Sequence, residues 1–432
     1  MVLAVTINRV LKFLEGKMKI GKIFQKLLLV VCFLFSGLYA EETFLQKALP
    51  EHKKLFSEIK PLVLKEAAGA PLVIGATDEN YFWLNEARLR PLLEAYRYSH
   101  DLEFLKAYVP LQENILSQRY IHPSKPEWNG WWNYKDEGDI KMRRYTLIDH
   151  DTIIYFVPAL MFVREVRADP KLKEIYGAKA EAWLKDVEAS IRAWDKRDCW
   201  VDFPDGSGWY KNITQVVDTK TGGFEKCPTI FSGGVVPYNK VHALFEALSL
   251  ALEITGDTWY KTRMEKCSKN FRKHWRIDGK HAEWNYRDHL FPGDYAGGAV
   301  GKGNPLSGAF IHPHQGYYGL DSMGAVVAWD WGICFTKGDI EKLIQTNLEF
   351  MLFDYPKAPK FKMINGAYKK EGKYDKGVLW TALAHFSQKT RDLWWQRISA
   401  SGKKSWMWHS DALKYLLEVS NPVSFEQRNI KK

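Results

Sequence analysis

The feature that most constrains this chain is a series of helical pairs, each broken by a short turn with Asp at or near the start of the second helix. Apolar periodicity predicts pairs over Leu84–Tyr98 and Asp101–Tyr120, Thr152–Arg167 and Pro170–Asp195, Val241–Ile254 and Thr258–Trp275, and Ser322–Phe335 and Ile340–Phe353. An amphipathic stretch, Phe44–Lys65, precedes them, and Trp380–Gln388 and Asp411–Val419 follow. Asp in such a turn accepts hydrogen bonds from the unpaired N–H groups of the next helix and complements its dipole. Gly256 and Gly338 stand where a helix C-terminus favours positive φ. The pairs recur roughly 70–90 residues apart, a weak internal repeat. The first helix of several pairs is nearly apolar all round, as in Ala243–Leu252 and Met323–Phe335. A helix of that kind needs a second layer over it. An inner apolar helix followed by a more charged outer one predicts an all-α protein: an (α/α) toroid or barrel of six to seven helical hairpins. A solenoid of hairpins would show a tighter, more regular period. A closed array of this kind holds a long chain as one domain, here residues 41–432 of 432.

Between the pairs run Ile121–Arg144, Asp198–Asn239 and Ile277–Gln315, rich in Gly, Pro, Trp, Tyr, Asn and His. Loops that long in a compact domain are usually functional, and a toroid gathers them around one mouth. The sequence holds 18 Trp, 21 Tyr and 23 Phe. So many aromatics are buried or line a cleft.

Residues 18–40 combine a basic start (Lys19, Lys22, Lys26), an apolar run from Leu27 to Phe35 and small residues ending at Ala40. This is the pattern of a secretory signal peptide, so residues 1–40 are read as one, with Met18 as a second candidate start; the plainer alternative is one N-terminal anchor helix. Export implies a secreted or periplasmic protein. No other stretch is apolar over the ~20 residues of a membrane span. The formal charge of +11 falls to +6 once residues 1–40 are removed, with 56 basic and 50 acidic side chains left. No dense Lys/Arg run marks a nucleic-acid surface; mild basicity suits an acidic substrate better. Cys199, Cys227, Cys267 and Cys334 match no zinc spacing, and their pairing is left open.

Four constellations can carry chemistry. In the run from Val236 to Phe245, Pro237 opens a helix that places Asn239 and His242 three residues apart on one face. A helix N-terminus there can hold an anion and keep His242 neutral, able to act as a base; the plainer reading makes Asn239 a cap and His242 a core histidine. In the run from Glu283 to Gly298, Arg287 sits among aromatics with Tyr286 and His289, and Tyr295 stands in a glycine-flanked loop; a structural Arg–Asp pair and a packed Tyr are the plainer reading. In the third, Trp131, Trp132 and Asn133 precede Arg143, Arg144, Asp149, His150 and Asp151. Indoles beside guanidinium groups suit a sugar ring and its carboxylate. Asp149 and Asp151 are candidate glycosidase carboxylates, although Asp151 is read first as a helix cap. In the fourth, His312 and His314 lack further partners at zinc spacing, so no metal and no other cofactor is expected. No P-loop, dinucleotide fingerprint, nucleophile elbow or HExxH motif occurs.

On these residues the chain resembles the toroidal polysaccharide lyases that cleave alginate and glucuronan, most nearly polysaccharide lyase family 38. The order His242, Arg287, Tyr295 is the order of that family's catalytic groups, and the resemblance covers nearly all of residues 41–432. It implies an (α/α) barrel with an aromatic groove for an acidic polysaccharide. His242 and Tyr295 would share the base and acid roles, with Tyr286 as the competing tyrosine. Arg287 and Asn239 would neutralise the uronate carboxylate. Trp131, Trp132, Asn133, Arg143, Arg144, His150, Tyr286, His289 and His312 would bind substrate, with no metal, no nucleic acid and a monomeric chain. A glycoside hydrolase using carboxylates such as Asp149 or Asp294, a uronyl epimerase and a non-catalytic glycan-binding protein are the alternatives.

Overall fold

The computed structural model describes residues 43–69, 80–121, 129–137, 140–145, 148–211, 215–217, 224–226, 235–288, 290–291, 311–368, 376–400 and 406–420. The leader expected at residues 1–40 lies outside them. One compact unit ends at Lys47 and contributes a single described helical turn, Phe44–Lys47; everything below belongs to the second unit, which begins at Ala48.

Its helices in chain order are α1 (Pro50–Ala67), α2 (Asn80–Ser99), α3 (Leu102–Ser117), α4 (Val157–Ala168), α5 (Pro170–Lys196), α6 (Tyr238–Thr255), α7 (Thr258–Lys273), α8 (Gly316–Asp330), α9 (Lys337–Gln345), α10 (Gln388–Ala400) and α11 (Trp406–Ser420). A helical turn, Ile148–Asp151, and a π turn, Thr152–Phe156, lead into α4. A second π turn, Thr346–Met351, extends α9, and a 3₁₀ turn, Thr381–His385, precedes α10. Adjacency closes a ring. Helix α2 packs on α4, α4 on α6, α6 on α8, α8 on the 3₁₀ turn, that turn on α10, α10 on α11, and α11 back on α2. Against these lie α3 on α2, α5 on α4, α7 on α6, α9 on α8, and α1 on both α2 and α11. Among the described residues α2, α4, α6, α8, the 3₁₀ turn and α11 form the inner layer and α1, α3, α5, α7, α9 and α10 the outer one, six hairpins of an (α/α) toroid, with α10 carrying the contact between the 3₁₀ turn and α11.

The layers follow from side-chain character. Leu244, Phe245, Leu248, Ala251 and their neighbours bury α6 on nearly every side, whereas α7 hides one face (Tyr260, Met264, Cys267, Phe271) and shows Lys and Arg on the other. Inner segments turn into outer helices through short caps. Asp101 accepts from the Glu103 amide, Asp169 from Lys171 and Asp257 from Trp259. Gly256 takes the left-handed conformation, φ 72°. At the fourth turn the positive φ falls on Gly332 and Cys334 rather than Gly338, and Thr336 with Asp339 forms a capping box. No described helix is long and apolar enough to cross a membrane.

The returns from outer to inner helices join the opposite mouth and, apart from the five residues between α10 and α11, are long. Their described parts are antiparallel two-stranded hairpins, among them Trp132–Glu137 with Ile140–Tyr145, Trp200–Asp202 with Gly208–Tyr210, and Arg276–Asp278 with His281–Glu283. Arg90 of α2 bridges the interior to Glu246 of α6 with two hydrogen bonds of 2.6 and 2.7 Å and also binds Glu94 at 2.7 Å. That pair fixes the inward face of α6.

Candidate active site

Asn239 lies seven residues, close to two turns, before Glu246, so it shares that inward face at the mouth. Lys240 and His242 flank it toward the two neighbouring inner segments. Lys240 Nζ reaches the Asp149 carboxylate at 3.1 and 3.3 Å. His242 Nδ1 meets Asp321 Oδ1 of α8 at 2.8 Å, and the Trp284 indole donates to Asp321 Oδ2 at 2.8 Å. With Asp321 ionised, Nδ1 carries the imidazole hydrogen and Nε2 the lone pair. Burial pushes the Asp321 carboxyl up, while His242 and Trp284 hold it partly in check.

His242 is 0 % exposed. Its ring stands edge-on to Phe271, at 4.4 Å between centroids, and to Phe245. A Cβ on Gly324 would lie 2.5 Å from the imidazole, so only glycine lets α8 approach α6 this closely. His242 therefore sits between the layers, and substrate contact requires the surrounding side chains to part. Asn239 is 1 % exposed. Neither Asn239 Oδ1 nor His242 Nε2 has a hydrogen-bond partner. Asn239 is thus no cap: Pro237 precedes the helix and no side chain caps it.

The Asp149 carboxylate is almost wholly buried. Burial opposes its ionisation, but Lys240 and His150 outweigh this and hold it below the usual carboxylate range. His150 stacks on Phe82 of α2 at 4.2 Å and 10° between planes, with Nε2 3.8 Å from Asp149. Asp151 corrects the expectation of a cap. It has helical dihedrals and its side chain caps nothing, because the helix starts earlier, at Ile148.

A third group forms at the start of α8. The Tyr286 carbonyl accepts from the Tyr238 amide at 3.1 Å, which ties this loop to the first residue of α6. Tyr286 stacks on Tyr317 at 5.3 Å, and Tyr317 on His314 at 4.7 Å; His312 touches Tyr286 at 4.6 Å and Tyr317 at 4.8 Å. The His314 amide donates to His312 Nδ1 at 2.9 Å, which leaves the His312 hydrogen on Nε2. Burial lowers His312 to about 4 and also lowers His314, so both rings are neutral near pH 7.

Of the expected site residues, Asn239, His242, His150, Tyr286 and His312 converge on the mouth or just beneath it. Arg287 adjoins Tyr286 and is partly exposed. Trp131 is corrected to a core residue: it is 1 % exposed and its indole donates to the Ile115 carbonyl at 2.8 Å. Tyr295, His289 and Asp294 lie outside the described residues. For Trp132, Asn133, Arg143 and Arg144 only the backbone is described, with Asn133 opposite Arg144 in the hairpin. Sequence reasoning passed over Lys240, Asp321 and Trp284. Asp321 carried a usable signal, an acid opening an apolar inner helix, which burial allows only with a partner. Among the described residues no three His, Cys, Asp or Glu side chains gather as a metal site would need.

No protein-family model matches the sequence, and no curated protein matches it. Among solved structures the chain is similar to an inactive variant of the alpha-1,6-mannanase GH76A of Salegentibacter sp. HEL1_6 in complex with alpha-1,6-mannotetrose. That match has 12% identity over 84% of this chain and 98% of that one, with a TM-score of 0.45. It is also similar to a family 88 glycosyl hydrolase from Bacteroides vulgatus (12% identity, 88% and 100% coverage, TM-score 0.37) and to a polysaccharide lyase (11%, 84% and 97%, 0.34).

Proposed function

We propose that this chain is an exported polysaccharide lyase that cleaves an acidic glycan, a polyuronate such as alginate or glucuronan, by β-elimination. The observation that carries the reading is the pair of buried polar atoms without partners, Asn239 Oδ1 and His242 Nε2, one turn apart at the N-terminal end of an inner helix. Leaving a buried polar atom unpaired costs ~1–3 kcal/mol, and such costs concentrate where a substrate completes the bonding.

The chemistry fits those groups. A uronate carbon-bound hydrogen next to the carboxylate is too weakly acidic to remove unaided. The Arg287 guanidinium and the Asn239 amide N–H group stabilise the charge that spreads onto the carboxylate as the C5–H bond breaks, while the unpaired Asn239 Oδ1, an acceptor, takes a sugar hydroxyl. His242 Nε2, its ring oriented by Asp321, takes the hydrogen as a proton. The electron pair forms the C4–C5 double bond, the C4–O bond breaks, and a tyrosine hydroxyl, Tyr295 or Tyr286, protonates the departing oxygen. One chain becomes two, one of them ending in an unsaturated uronate, and no redox partner is consumed.

A second reading has its own support. Asp149 and Asp151 are both buried at the mouth of the neighbouring inner segment, and paired carboxylates are the equipment of a glycoside hydrolase. Incubation with a panel of polyuronates separates the two. Elimination raises ultraviolet absorbance and is lost in His242→Ala; hydrolysis releases reducing ends without absorbance and is lost in Asp149→Asn.

A further inference from the structure

We propose that Trp284 is the positioning residue of His242: its indole N–H, by occupying one oxygen of the Asp321 carboxylate, decides which nitrogen of His242 carries the imidazole hydrogen. The inference rests on the reading of His242 as the base and adds a residue to which that reading gives no role.

Asp321 is 1 % exposed, and both of its oxygens are engaged. Oδ1 faces His242 Nδ1 at 2.8 Å, and Oδ2 accepts from Trp284 Nε1 at 2.8 Å. Trp284 is fully buried and cannot turn away. Its ring stacks on Trp275 at 5.5 Å with 18° between planes, and Phe271, Trp380 and Tyr318 stand 5.4, 5.5 and 5.8 Å from it. Two residues earlier the Ala282 amide donates to Thr346 Oγ1 at 2.8 Å, which anchors the hairpin that delivers the indole. An indole N–H is a donor only, and its bond to a carboxylate is stronger than its bond to a neutral carboxyl. It therefore favours the ionised Asp321, which can only accept from Nδ1–H.

Removing that one donor inverts the base. Burial disfavours charge on Asp321, and the bonds from His242 and Trp284 oppose it. Without the indole N–H the buried carboxylate keeps an oxygen unbonded, and the Asp321–His242 pair takes up one proton from solvent. Nε2 then bears a hydrogen wherever the added proton rests. A neutral carboxyl donates to Nδ1 and leaves the ring hydrogen on Nε2; an imidazolium carries a hydrogen on both nitrogens. In either state Nε2 lacks the lone pair that removing the uronate proton requires. His242 Nε2 has no hydrogen-bond partner of its own, so the choice is made on the Nδ1 side. The other titratable groups that feel Asp321, Tyr238 and Tyr318, are pushed up by burial and stay neutral.

The test compares Trp284→Phe with Trp275→Phe. Both trim an indole to a phenyl ring in the same cluster, but Trp275 Nε1 has no hydrogen-bond partner, so only the first removes a bond to Asp321. The imidazole hydrogen is located by NMR on protein carrying isotope-labelled histidine, with the His242 signals assigned by their loss in His242→Ala. The parent and Trp275→Phe should carry the hydrogen on Nδ1 with Nε2 bare, and Trp284→Phe should carry it on Nε2. On the best polyuronate Trp284→Phe should lose about 10²-fold or more in kcat; its KM, and both constants of Trp275→Phe, should stay within about threefold of the parent. Asp321→Asn reaches the same end without opening a cavity: the Trp284 N–H claims the amide oxygen, the amide NH₂ donates to Nδ1, and the ring hydrogen moves to Nε2. A bare Nε2 in Trp284→Phe or in Asp321→Asn overturns the proposal, and so does the same inversion in Trp275→Phe. If no polyuronate yields unsaturated product while the hydrogen moves in Trp284→Phe and not in Trp275→Phe, the lyase reading falls and the control of His242 by Trp284 stands. If elimination depends on His242 and the hydrogen does not move, the reverse holds.

Discussion

The two mouths of the toroid are built by opposite rules. On the short-turn side the starts of α3, α5, α7 and α9 have their partners: Asp101, Asp169 and Asp257 each accept a backbone amide, and Thr336 and Asp339 cap each other's chain ends. Residues forced to positive φ, His100, Gly256, Gly332 and Cys334, sit at the tight reversals. On the long-loop side polar groups are buried and then left incomplete, as at Asn239 and His242, or compensated by a neighbouring charge, as at Asp149 beside the half-buried Lys240. The first mouth is finished by the chain itself. The second keeps bonding capacity in reserve, which is what a binding site requires.

Four substitutions probe that contrast, from the largest expected effect to the smallest. His242→Ala removes the proposed base and should lower kcat on the best polyuronate by ~10²–10⁴-fold, read by absorbance, with the protein still folded by circular dichroism. Lys240→Met strands the buried Asp149 carboxylate and should cost ~3–5 kcal/mol of stability at neutral pH, measured by urea unfolding. The parent draws stability from Asp149 at pH values above the ordinary carboxylate pKa of about 3.9, and loses it as acid titrates the depressed folded value. Without Lys240, the burial of Asp149 is opposed by less and its pKa rises, so the gap between the two proteins should narrow below about pH 4. Gly324→Ala pushes a methyl group into the His242 ring, should cost ~1–3 kcal/mol by overpacking, and should lower activity by shifting the imidazole on Asp321. Asp169→Ala removes a cap on the finished mouth and should cost ~1 kcal/mol, seen as a small drop in melting temperature, with kcat/KM unchanged.

The helical frame was legible because its signals are local. The third pair, predicted as Val241–Ile254 and Thr258–Trp275, is observed at Tyr238–Thr255 and Thr258–Lys273, since an apolar run ending at Gly256-Asp257 carries its own stop and start. Helix α10 was missed: Gln388–Ala400 is short and mostly polar, and it becomes helical by packing against α11 and the 3₁₀ turn. The π turns, Thr152–Phe156 and Thr346–Met351, were also invisible, because nothing in their composition separates them from the α-helices they adjoin. For the site, Asn239 and His242 stood out through their spacing on one helix start. Their partners did not, because Asp321 is 79 residues away from His242 in the chain and only ring closure brings them together. Trp131 misled for a related reason: a Trp-rich loop suggests a groove wall, yet this indole finds a backbone carbonyl inside the core.

The most direct measurement follows ultraviolet absorbance while the purified protein is incubated with alginate, glucuronan and a neutral glucan. The account predicts rising absorbance with at least one of the two polyuronates, none with the neutral glucan, and none with any substrate after His242→Ala. No absorbance from either polyuronate, or a rise that His242→Ala leaves intact, would contradict it.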